Sequence, residues 1–152
     1  MKKLRWDESL SVAQNARAAL PGLARSYFEK GRKLTGKLPT STALHRFRLE
    51  TKALRYTLEL FRPCYGPGLD RRLAVLRKIQ AYLGAINDYA TTVELVAARL
   101  PSDAPEREGI EARLSTVAKR KSLEFRRYAQ RLFQDPGEQR RWRNYLSRPR
   151  QA

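Results

Sequence analysis

Clusters of proline and glycine cut this chain into long stretches, and the apolar residues within each recur at helical spacing. No stretch shows the strict alternation of a half-buried strand, and no fixed-period repeat is present. The chain is therefore read as all-α. The first helix is expected from about Glu8 to Leu34, with a kink or break at Pro21-Gly22. A second should start at Thr40 or Ser41, both good caps, and end before Pro63. A third begins near Leu69 or Asp70. Gly84 either interrupts it or permits a close helix contact, and Asn87 or Asp88 then caps a further piece reaching Leu100. A long helix should follow from about Pro105 to Gln134, then a short basic one over Glu138 to Leu146. Four long helical stretches joined by short loops predict an antiparallel four-helix bundle. The 152 residues suit a single domain over 1–146, with 147–152 a disordered tail.

Charge narrows the function. Thirty-two Lys and Arg face 15 Asp and Glu, a formal net charge of +17. A field of that sign draws in polyanions such as nucleic acid, polyphosphate or an anionic membrane surface. Cys64 is the only cysteine and His45 the only histidine, which cannot make a usual zinc set, so no metal or cofactor is expected. No apolar run is long enough to cross a membrane, and the N-terminus lacks the apolar core of a signal peptide. These features point to a cytoplasmic protein.

The second helix carries the most informative pattern. At about 100° per residue, Leu44, Phe47, Leu54, Leu58 and Phe61 form one apolar face, and Leu49, Ala53, Tyr56 and Leu60 a second. Between them His45, Arg48, Lys52 and Arg55 make a cationic row about 15 Å long. Apolar residues on both flanks predict packed neighbours on both sides of the row. Like charges at such spacing repel unless an anion neutralises them. A linear polyanion fits the row, with Arg offering bidentate contacts, Lys a point charge and protonated His45 two donors.

Other helices hold further candidates. In the fourth, Lys121 falls within the face of Leu114, Val117, Phe125, Tyr128 and Leu132, so it needs an anion, a carboxylate or a route to solvent. Arg113, Arg120 and Arg127 run beside that stripe. Arg77 and Lys78 flank the third helix's apolar side, and Arg17 borders the first's. In an antiparallel bundle several of these could converge on the row.

The segment Leu44-His45-Arg46-Phe47-Arg48-Leu49-Glu50-Thr51-Lys52-Ala53-Leu54-Arg55-Tyr56 resembles the signature helix of the CHAD family, the conserved histidine α-helical domain. Leu76-Arg77-Lys78-Ile79-Gln80 leading to Leu83-Gly84 and Asp88 is similar to that family's second motif. The resemblance implies a helical bundle that binds inorganic polyphosphate and associates with polyphosphate granules. It implies phosphate contacts from His45, Arg48, Lys52 and Arg55, and matches Arg77 to the second motif's basic position. Arg120, Lys121 and Arg127 match no motif. The family usually carries two bundles per chain, each with a histidine helix, whereas this length suits one. Either a homodimer completes the site or the chain is part of a longer protein.

The leading expectation is non-enzymatic polyphosphate binding. RNA binding is the alternative, although Phe47, Tyr56 and Phe61 sit mostly at core spacing rather than as stacking platforms. Phosphate-anhydride hydrolysis comes third, because Glu50, Glu59, Asp88 and Glu94 show no paired-carboxylate spacing; Asp88 reads as a cap or an Arg partner.

Overall fold

A computed structural model describes residues 5–36 and 39–150. The described residues are all-helical, with no strand. The elements are α1 (Val12–Gly36), α2 (Ser41–Leu60), a 3-10 turn (Arg62–Cys64), α3 (Gly68–Arg99), α4 (Pro105–Phe133) and α5 (Pro136–Leu146). α1 packs on α2 and α4, and α3 packs on the same two, which closes the predicted bundle; α5 lies chiefly against α1.

Side-chain caps set the starts of α1, α2 and α5. α1 begins at Val12 rather than Glu8 because Ser11 and Gln14 form a reciprocal box. Ser11 Oγ accepts from the Gln14 N–H at 3.2 Å, and Gln14 Oε1 accepts from the Ser11 N–H at 2.8 Å. The preceding residues turn back, with Asn15 Oδ1 accepting from the Asp7 N–H and Asn15 Nδ2 donating to Asp7 O. α1 runs unbroken through Pro21-Gly22. Pro21 removes one donor, while Leu20, Leu23 and Ala24 around it are buried and hold the turn.

α3 also departs from expectation, being one helix of 32 residues. Gly84 neither breaks it nor seats a neighbour, since a methyl there would meet nothing within 4 Å. Asp88 caps nothing: it lies mid-helix, exposed, its carbonyl accepting from the Thr92 hydroxyl. A glycine within a helix costs only about 1 kcal/mol, and packing of Leu73, Leu76, Ile79 and Leu83 outweighs it.

The core is an aromatic knot where α1, α2, α4 and α5 meet. Tyr27 stacks on Phe47 at 5.0 Å, and the Phe133 ring meets Tyr27, Phe28 and Phe47 edge-on. Phe28 carries the knot to Trp142 of α5. Gly31 lies under Phe133, at a point where no Cβ fits. Buried residues in α3 end at Leu83, and those in α4 begin at Phe125. The outer segments 84–99 and 105–124 thus form a hairpin extending past the tightly packed core. After α5, the Arg150 N–H donates to Cys64 O at 2.7 Å.

Candidate anion-binding face

α2 presents the row. Thr40 starts the helix, its hydroxyl accepting from the Ala43 N–H at 3.2 Å. Phe47, Thr51, Leu54 and Leu58 anchor the opposite side in the core. Thr51 is polar yet fully buried, and two bonds account for it. Its hydroxyl donates to Phe47 O at 2.8 Å, so the Tyr27 hydroxyl, 2.9 Å away, donates to Thr51 Oγ1. Burial pushes the Tyr27 phenol well above its ordinary pKa.

With that side fixed, His45 and Lys52 project exposed, and Arg48 and Arg55 are half-buried. The expectation of packed neighbours on both flanks is corrected. Leu49, Tyr56 and Leu60 are 49%, 46% and 74% exposed, so the second apolar face is open. Periodicity marks a face as apolar, but something must cover it, and no described element does. Phe47 and Phe61 are core residues as their spacing suggested, whereas Tyr56 is not. The Arg55 guanidinium lies 4.4 Å from the Tyr56 ring centroid and the Lys52 ammonium 5.7 Å. One aromatic ring thus steadies two neighbouring cations of the row.

The third helix contributes one cation here. Glu59 Oε1 accepts from Arg55 Nη1 at 3.0 Å and from Arg77 Nη2 at 3.2 Å, joining Arg77 to the end of the row. Sequence reasoning missed this role for Glu59, although its four-residue spacing from Arg55 was the available signal. Arg55 Nε is buried without an acceptor.

The remaining candidates lie elsewhere. Lys78 turns toward α4, its ammonium 4.7 Å from the Tyr128 ring centroid. Lys121 meets a carboxylate within its own helix, Glu124 Oε2 at 3.0 Å. Arg120 and Arg127 are exposed on α4, which packs chiefly on α3 and α1. Arg17 is exposed on α1 and lines a separate cavity with Arg148.

Among the described residues no group of three His, Cys, Asp or Glu side chains is placed to hold a metal ion, and no helix is long and apolar enough to cross a membrane. A family model described as the CHAD domain matches residues 2–97, which includes α1, α2 and nearly all of α3. No curated protein and no solved structure matches the chain.

Proposed function

The chain belongs to the CHAD domain family, and from that premise we propose that it binds inorganic polyphosphate without transforming it. CHAD domains in general bind this polymer. The observation that carries the reading is the α2 row of His45, Arg48, Lys52 and Arg55, prolonged by Arg77 from α3. Successive phosphates of a linear chain pair with successive cations, neutralising charges that otherwise repel. Arg17, Lys78, Arg120, Lys121 and Arg127 add to the long-range field. The carboxylate nearest the row, Glu59, is occupied by two guanidinium groups, which supports binding rather than hydrolysis.

The exposed side chains of Leu49, Tyr56 and Leu60 beside the row support a homodimer in which a second copy covers this face. Association with polyphosphate granules in the cytoplasm follows from the same reading.

The test is binding of long-chain polyphosphate at moderate salt by the parent and by the variant H45A/R48A/K52A/R55A. Binding should be abolished in the variant; undiminished binding would overturn the site. The exposed Tyr56 ring favours a second reading, single-stranded RNA stacked beside the row. Competition at equal phosphate concentration decides between them, and RNA displacing polyphosphate would sink the first.

A further inference from the structure

On another side of the bundle, α1, α2 and α4 line a partly open cavity of about 480 Å³. This is within the range of small-ligand sites, about 300–1,000 Å³. Its walls are apolar: Leu34 from α1, Leu44 from α2, and Leu123 and Phe125 from α4. Among the described residues two cations also line it, Lys119 and Arg126, and no carboxylate does. They are seven residues apart, which puts them on one face of α4, about 10 Å apart along its axis.

Neither cation makes an ion pair among the described residues, although Lys121, between them in sequence, is paired to Glu124. Arg126 is half-buried, and its Nε–H is buried with no acceptor. A half-buried guanidinium without a counter-charge is costly, and a ligand that brings an anionic oxygen relieves this cost while using the cavity's apolar walls.

Those walls discriminate among anions. Polyphosphate has no hydrocarbon to bury and gains nothing from Leu34, Leu44, Leu123 and Phe125. The matching chemistry is a single alkyl chain ending in a carboxylate or a phosphate monoester. We propose that this cavity is a second, separate site that binds a monomeric single-chain anionic amphiphile. Arg126, which lines the cavity, takes the headgroup through its guanidinium, and exposed Lys119 strengthens the local field. The inference stands whether or not the α2 row binds polyphosphate.

The test uses the full chain and cis-parinaric acid as a fluorescent reporter. Displacement is measured with dodecanoate, dodecyl phosphate and the neutral dodecanol, all below micelle-forming concentrations. Both anions should displace the reporter, with dodecanol weaker by about tenfold, as befits loss of a charge-assisted hydrogen bond. R126Q should weaken the anions by a similar factor, again about tenfold, and leave dodecanol unchanged. A118W fills the cavity at another lining residue without altering charge, and should abolish binding. A strongly basic surface attracts anions anywhere, so binding retained in folded A118W would overturn the proposal. Circular dichroism checks that A118W folds. If it does not, amide shift mapping of the parent decides: dodecanoate should perturb Leu34, Leu44 and Leu123, and shifts confined to other residues would overturn the proposal. Binding to anionic phosphatidylglycerol vesicles but not to monomeric amphiphile would do so as well.

Discussion

Arg55 and Arg77, from neighbouring helices, share one oxygen of a carboxylate: Glu59 Oε1 lies 3.0 Å from Arg55 Nη1 and 3.2 Å from Arg77 Nη2. Glu59 lies within the angular range of the cationic row, so it competes with any anion that docks there. E59Q keeps the shape and removes the charge. Its affinity for polyphosphate should rise about threefold to tenfold, the effect of about 1 kcal/mol from a partly exposed ion pair. Isothermal titration at two salt concentrations checks this, and an unchanged or weaker affinity would count against Glu59 as a competitor.

Salt dependence distinguishes residues that touch the polyanion from those that only raise the field. Replacing Arg48 or Lys52 by Ala should lower the slope of log K against log salt by about 0.7 to 1 per residue, because each contact releases about one counterion. Replacing Arg120, exposed on α4, should weaken binding with a much smaller change in slope. Equal slope changes at all three positions would dissolve the distinction between row and field.

The buried pair of Tyr27 and Thr51 makes a stability prediction. T51V removes the one acceptor that the buried Tyr27 phenol has among the described residues. The loss should be about 1–3 kcal/mol in urea unfolding. In Y27F/T51V both polar partners are gone, and stability should return close to that of Y27F alone. A double variant as unstable as the sum of the two singles would mean that the hydroxyls are not coupled.

G31A tests the aromatic knot. A methyl at Gly31 would stand 2.5 Å from the Phe133 ring, which is itself fully buried. Alanine's helical advantage over glycine is about 1 kcal/mol. Overpacking costs about 1–3 kcal/mol, so G31A should be neutral to clearly destabilising, and a more stable variant would show that Phe133 can move aside.

Acid should loosen the start of α5. The Gly137 N–H and then the Arg141 guanidinium hold the Asp135 carboxyl below its ordinary value of 3.8. A carboxyl with a depressed folded-state pKa contributes stability above its unfolded value and loses it as pH falls through the folded one. Thermal stability of the parent should therefore drop below about pH 4, and D135N should flatten that acid limb. Identical limbs in parent and variant would remove Asp135 from the account.

Local chemistry made much of this fold legible in the sequence. Thr40 and Pro105 mark helix starts because these are decided within a few residues, whereas Asp135 caps α5 at Pro136, two residues before the Glu138 start that the sequence suggested. The Ser11–Gln14 box was equally local, and attending to it would have moved the start of α1 to Val12. Gly84 and Asp88 misled because a weak local preference against helix is overridden by core packing before them. The row on α2 followed from periodicity, whereas the exposure of Leu49 and Leu60 did not, since periodicity contains no information about what covers a face. The cavity beside Arg126 draws on three helices and has no signature in any one of them.

The hairpin that extends past the core also sorts charge. Residues 88–111, which hold its tip, contain six carboxylates and two arginines; all other residues together carry a net +21. The molecule is thus a permanent electric dipole. Arg77 and Asp88, the first of these carboxylates and on the same continuous helix, are 11 residues apart, about 16 Å, or about twice the Debye length of about 8 Å at physiological salt. The acidic tip therefore does not quench the field at the cationic row. If the chain binds polyphosphate as proposed, this asymmetry favours approach to the basic body rather than the acidic tip.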